Sequence, residues 1–281
     1  MNETINATVK LNVNGTEYYV AVVDGVGTYI VSNLANGTYD IGASFAGNDK
    51  YLGNVSSVKA LEVNMIPTNI SVVVNPSAIK VGETPVVTIN MNPIINASVE
   101  LKIGGKTYTV AIVNGVGSYE VSGLDSGVYD INVTYAGDDK YIESKNATKL
   151  TVNNATLVVD VVAQNVTVEQ NASFVINVTD DFKGNVSITV DGKVLYNGTV
   201  KSLITADKLL AGDKIATVVF YGDDNYDKVT LDNVKFTVSR VTPDIAVVID
   251  DVTYPAKAVA VITVGNNANG TVNVTVDGKV F

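Results

Sequence analysis

The chain has 281 residues, 46% of them hydrophobic and 17% charged, so packed cores are feasible and a disordered chain is excluded. A net charge of −10 argues against nucleic acid as a partner, and no apolar run reaches the ~18 residues of a membrane span. Cysteine, histidine and tryptophan are absent, which removes disulfides, thiolate chemistry, the commonest general base and the usual zinc, copper and haem ligands. Carboxylates, lysine, tyrosine and hydroxyls remain, so the one metal chemistry still open is a hard cation held by oxygens.

The first four residues, Met1-Asn2-Glu3-Thr4, lack the basic and apolar regions of a signal peptide, so an export signal is expected outside this chain. Residues 5–63 read as five strands. Val9, Leu11 and Val13 alternate with Lys10 and Asn12, the period of a half-buried strand. Residues 17–23, 28–31, 39–45 and 55–63 follow. Asn14-Gly15 and Asp24-Gly25 suit type I′ hairpin turns, whose two central residues both need positive φ.

Residues 67–153 read as seven strands. Two of them, at 70–74 and 84–91, precede a return of the first pattern. Val99, Leu101 and Ile103 are expected inside, with Tyr119, Val121, Ile131 and Val133, while Glu100 and Lys102 face water. The return is close: residues 26–51 match residues 116–141 at a constant offset of ninety, the mark of an array. Seven short strands with frequent turns predict an immunoglobulin-like antiparallel β-sandwich.

A diverged repeat spans 154–240, with Lys214 where Tyr39 and Tyr129 stand earlier and a helical turn expected near 205–210. A fourth repeat begins near Pro243, with strands at 245–250, 258–264 and 272–276. The expected organisation is therefore all-β: a partial repeat 1–66 without its first two strands, complete repeats 67–153 and 154–240, and a partial repeat 241–281. A longer array cut inside repeats at both ends explains this pattern.

One unit recurs: Leu-x-x-Gly-x-Tyr, then Phe/Tyr-x-Gly-Asp-Asp-x-Tyr, carried here by Leu124, Gly127, Tyr129, Tyr135, Gly137, Asp138, Asp139 and Tyr141. It resembles the immunoglobulin-like repeats of large bacterial and archaeal surface proteins. In composition the chain is similar to adhesin-like proteins of methanogenic archaea. The resemblance implies export and attachment to a cell surface, and no catalytic residue. The residues themselves suggest structural roles. The Tyr129 hydroxyl is expected to bond backbone at a sandwich corner, Leu124 to close the core, Gly137 to take positive φ, and Asp138 and Asp139 to cap a turn. The competing reading of Asp138-Asp139 and Asp223-Asp224 is calcium, although Asn48-Asp49 holds the same place in the first repeat. A Lys–Asn isopeptide bond needs a buried Lys, an Asn on a facing strand and a nearby carboxylate; Lys59 and Lys149 recur at the ninety-residue offset, but alternation puts Lys149 on the solvent face, where lysine guards an edge strand.

Asn-x-Ser/Thr occurs seventeen times among thirty asparagines, against about four or five expected by chance. Asn96, Asn132, Asn146, Asn165, Asn177, Asn197 and Asn273 are the glycosylation candidates. Outward faces rich in Asn and Thr produce the same spacing without glycan. The sequence thus predicts a non-catalytic, extracellular stalk of repeats whose partners are the neighbouring repeats and surface glycans or proteins. The alternatives are a carbohydrate- or protein-binding module and the accessory domains of a secreted hydrolase.

Overall fold

The computed structural model describes residues 5–265 and 268–281; Asn2 and the rest of the first four residues lie outside them. Among the described residues every regular element is a strand, and no helix is long and apolar enough to cross a membrane. Residues up to Asn153 and residues from Asn154 onward form two compact units.

In the first unit, β1 (Ala7–Val13), β2 (Thr16–Val22), β3 (Gly37–Gly47), β4 (Leu52–Val55) and β5 (Lys59–Val63) form one five-stranded sheet. The β1–β2 hairpin turns at Asn14 and Gly15, with φ of 45° and 90°, as type I′ geometry demands. Residues 28–31 are not a strand, contrary to expectation. Their counterpart, Val116–Glu120, pairs with the strand Val86–Asn92, and among the described residues the first sheet holds no equivalent of that partner. The expected strand 55–63 is two strands, β4 and β5, both bonded to β3.

The next eight strands are β6 (Asn69–Asn75), β7 (Ala78–Lys80), β8 (Val86–Asn92), β9 (Ala97–Ile103), β10 (Lys106–Ile112), β11 (Val116–Glu120), β12 (Gly127–Tyr135) and β13 (Ser144–Asn153). They form a three-stranded sheet, β11-β8-β6, and a five-stranded sheet, β10-β9-β12-β13-β7. Alternating side chains from both sheets meet in one core, with Ile70, Ile89, Leu101, Ile131 and Leu150 essentially inaccessible. Val99, Ile103, Val121 and Val133 are buried as expected, Tyr119 is half-buried against them, and Glu100 and Lys102 are exposed. The first segment of the sandwich changes sheets: β6 pairs antiparallel with β8, then β7 pairs parallel with β13.

The second unit repeats this plan. β14 (Val159–Ala163), β16 (Ser173–Val178) and β19 (Leu203–Thr205) form one sheet. β15 (Val166–Thr167), β17 (Asn185–Val190), β18 (Lys193–Thr199), β20 (Gly212–Phe220) and β21 (Val229–Ser239) form the other. Phe174, Ile188, Ile204, Val218 and Phe220 fill the core between them. No helical turn occupies 205–210. Leu203–Thr205 is the edge strand β19 on β16, and alternation carries on beyond it, with Ile204 and Ala206 inside.

Two hairpins follow, β22 (Ile245–Ile249) with β23 (Ala260–Val264), and β24 (Thr275–Val276) with β25 (Lys279–Val280). The strand expected over 272–276 is confined to Thr275–Val276. The fold is all-β, built of tandem immunoglobulin-like antiparallel sandwiches.

Candidate functional site

The recurring motif builds a loop that clamps the linker ahead of each complete sandwich. Gly137 leaves β12 with φ of 80°, and a Cβ there would lie 2.8 Å from the Tyr141 carbonyl oxygen and 2.9 Å from the Glu143 nitrogen. Only glycine fits that turn. Asp138 closes it: Oδ1 accepts from the Lys140 and Tyr141 amides at 2.8 and 2.9 Å, and Oδ2 accepts from the Tyr135 hydroxyl at 2.9 Å. The Lys140 amide, first among these donors, holds the Asp138 carboxyl below the usual carboxylate range. Burial, and then the bond to Asp138, push the Tyr135 hydroxyl up to about 12.

The shaped loop offers its own backbone to the linker. The Ile66 amide donates to the Lys140 carbonyl at 2.7 Å, and the Ile142 amide donates to the Ile66 carbonyl at 2.9 Å, a parallel bridge. Thr68 adds a side-chain bond from Oγ1 to the Ile142 carbonyl at 2.7 Å. The diverged sandwich repeats the device. Asp223 Oδ1 accepts from the Asn225 and Tyr226 amides at 2.9 and 3.0 Å, while Ala155 donates to the Asn225 carbonyl at 2.9 Å and accepts from the Asp227 amide at 3.0 Å. In the first sheet Asn48 Oδ1 caps the same turn, accepting from the Lys50 and Tyr51 amides at 2.9 and 2.8 Å. An amide oxygen does this work as well as a carboxylate, which is why Asn and Asp exchange here.

The first member of each pair therefore makes the turn. Asp138, not Asp139, makes the cap, contrary to the expectation that both would. Both Asp138 oxygens serve protein donors, and Asp223 Oδ2 accepts from the Lys183 amide at 2.9 Å. No group of three or more acidic residues suited to a metal occurs among the described residues. Beside the first clamp, a surface hollow of about 540 Å³ is lined by residues including Asn33, Leu34, Asn36, Met65, Asp139 and Lys140.

The corner residues behave as read. Tyr129 donates its hydroxyl to the Asp125 carbonyl at 2.9 Å, and Tyr39 does so to Ala35 at 3.0 Å. Leu124 and Tyr129 pack against the core beside the Gly104 turn, and Tyr141 packs on the core from the loop. Lys214, in the tyrosine's place, reaches Asp191 Oδ2 at 2.6 Å and so ties the same strand to the same turn by charge. Lys149 is exposed and paired with Asp130. The register also separates the two lysines: Asp130 faces Lys149, whereas its counterpart Asp40 faces Ala60, so Lys59 does not occupy the place of Lys149. The spacing in sequence is the same in both repeats, but the chain bulges by one residue between β4 and β5, which shifts the register.

All seven glycosylation candidates are exposed. Three have other employment. Asn96 Oδ1 accepts from the Asn114 amide at 2.7 Å, as Asn6 does from Asp24, and Asn165 Oδ1 accepts from the Thr237 amide at 2.8 Å. Asn146 Nδ2, the atom a glycan would take, donates to the Ile70 carbonyl at 2.7 Å.

No protein-family model and no curated protein matches the sequence. Among solved structures, the chain is similar to the fibronectin(III)-like modules of Clostridium thermocellum CbhA, at 16% identity over 60% of this chain and 95% of that one, with a TM-score of 0.26. It is similar to the Yersinia pseudotuberculosis adhesin InvE at 13% identity over 60% of this chain, spanning 59% of the adhesin, with a TM-score of 0.35. The titin domains z1z2 in complex with telethonin match at 11% identity over 64% of this chain and 100% of that one, with a TM-score of 0.36.

Proposed function

We propose that this chain is a non-catalytic segment of a cell-surface, adhesin-like protein, a stalk that holds other parts of the molecule away from the surface. In this reading four repeats, at 1–66, 67–153, 154–240 and 241–281, follow one another, and the neighbouring repeats are the chief partners. The observation that carries it is the clamp. The motif's carboxylates bind backbone of their own sandwich, and the loop they shape binds the linker through its backbone, which is the chemistry of a joint rather than of a substrate site. The Asp138 oxygens already serve protein donors, which supports a reading in which the turn is a structural cap. Among the described residues the exposed aromatics are Tyr19, Tyr29, Tyr221, Tyr254 and Phe281, spread over separate segments of the chain. Exposed Asn132, Asn177, Asn197 and Asn273 are the places where glycan would sit. An antibody against residues 67–153 is expected to label intact cells of the source organism. Labelling only after lysis would overturn the proposal.

A further inference from the structure

The two complete sandwiches differ on the outer faces of their five-stranded sheets. On the sandwich of residues 67–153 two ion pairs hold that face, Lys102 with Glu100 and Lys149 with Asp130. On the diverged sandwich neither pair has a counterpart among the described residues. Ser187 and Thr189 of β17 stand where Glu100 and Lys102 stand, and Ile215 of β20 stands where Asp130 stands. Val194, Ile215 and Tyr221 are each more than half exposed there, at 57%, 52% and 51%.

The centre of this face is ordered. Ser187 points outward yet is buried, because its neighbours close over it. Its Oγ lies 3.2 Å from the Tyr221 hydroxyl, so the Tyr221 ring lies back along the sheet instead of standing off it. Lys228 reaches the ring from the next strand, its ammonium 5.9 Å from the centroid, at the outer limit of a cation–π contact.

Asn197 of β18 stands directly opposite Ser187, and Val219 of β20 stands opposite it on the other side. Asn197 and Thr199, the two ends of one sequon, are both exposed on this face, and among the described residues nothing bonds the Asn197 carboxamide. Asn185 opens a second sequon here, but its hydroxyl residue is Ser187, which is buried and engaged by Tyr221. Two strand spacings and one two-residue step separate the Cα atoms of Asn197 and Tyr221, roughly 12 Å.

We propose that a glycan on Asn197 lies down across Ser187 and Val219 and stacks an inner sugar on the Tyr221 ring. The inference rests on reading the chain as a glycosylated surface protein. Attachment forms a bond from Nδ2 to the anomeric carbon of a phosphate-activated glycosyl donor. The C–O bond to phosphate breaks, phosphate leaves with its electron pair, and Nδ2 loses one proton. The apolar C–H side of a pyranose matches the aromatic ring, while Thr189 and Thr217 offer hydroxyls beside the path. Seated there, the glycan covers a low-charge patch that would otherwise invite association. Asn132, the sequon on the same sheet of the other sandwich, has Lys102 and Ala147 opposite it and no aromatic at either place.

The full-length protein purified from the source organism is compared with Asn197→Gln, with Tyr221→Ala and with the double variant, by hydrogen exchange at the amides of β17 and β18. Peptide mapping reads glycan occupancy in each. Losing the glycan is expected to speed exchange several-fold when Tyr221 is present and to change nothing in the Tyr221→Ala background. Tyr221→Phe keeps the ring and loses only the Ser187 bond, so in that background the several-fold effect should return. An equal effect of Asn197→Gln in the Tyr221 and Tyr221→Ala backgrounds, or no effect in either, would overturn the proposal. So would an unoccupied Asn197 beside an occupied Asn132, a result that leaves the surface reading standing. No glycan at any sequon, with antibody labelling only after lysis, would remove both.

Discussion

Replacing Leu101 and Leu11, one at a time, by alanine asks how much of a sandwich the first sheet possesses. The two leucines hold the same register position, Leu101 opposite Val133 and Leu11 opposite Ala43. Leu101 is wholly inaccessible, at 0%. Losing its three carbon groups forfeits about 2.4 kcal/mol of transfer free energy at about 0.8 each, and the sealed cavity adds to this, so Leu101→Ala should cost about 3–4 kcal/mol. Leu11 is half-covered, and among the described residues no second sheet seals it, so Leu11→Ala should cost about 1 kcal/mol. A chain of several sandwiches has no single unfolding free energy, so the measurement must be local. Native-state hydrogen exchange at the amides of β9 and β12, and separately of β1 and β3, supplies it. Equal costs at both sites would refute the reasoning.

Tyr129→Phe removes the bond to Asp125 and should destabilise the sandwich of residues 67–153 by about 1 kcal/mol in native-state hydrogen exchange at the amides of β12; no change would mean that the corner bond is idle. Asp138→Ala should speed hydrogen exchange at Ile66 and Ile142 while leaving Ala155 and Asp227 unchanged, and Asp223→Ala should do the reverse; uniform acceleration would deny local clamping. Tyr226, held by its bond to Asp181 and then by burial, is pushed up to about 12, as Tyr135 is. The folded chain keeps both phenolic protons where the unfolded chain releases them above about 10, so this stability is full below about pH 10 and is lost as pH rises toward 12. Tyr135→Phe and Tyr226→Phe should each flatten the alkaline fall in urea midpoint, and a flat wild-type profile would refute the assignment. Peptide mapping of the native protein should find glycan at Asn132, Asn177 and Asn197 in preference to Asn146, whose Nδ2 is engaged; the opposite preference would refute this.

Much of the fold was legible because period-two alternation fixes which face of a strand is buried. Val99, Leu101 and Ile103 needed no further information, and Asn14-Gly15 announced its turn through the φ values that its residues tolerate. What the pattern could not convey was the supply of partners. Residues 28–31 have the same local character as 118–121, yet only the latter extend into a strand, because a ladder requires a second strand. Short pieces were lost for a related reason. Ala78–Lys80 is defined by pairing with Thr151–Asn153, some seventy residues away, and three residues carry no measurable period. The clamp was half legible. The cap by Asp138 follows from Asx chemistry, but the bonds of Ile66 and Ala155 are made by backbone, which leaves no trace in residue identity. Their one hint was position, immediately ahead of each complete strand set.

The parallel pairings have a consequence for tension. Ile66 with Tyr141, and Ala78–Lys80 with Thr151–Asn153, run side by side in the same direction, with the chain entering on one member and leaving on the other. A pull on the entering and leaving segments drags the paired strands lengthwise past each other, so the bonds are loaded in shear and share the strain. An antiparallel hairpin pulled at its open end unzips one bond at a time. Val166–Thr167 with Val238–Ser239 gives the diverged sandwich the same arrangement, so each complete module is latched along the line on which it would be stretched.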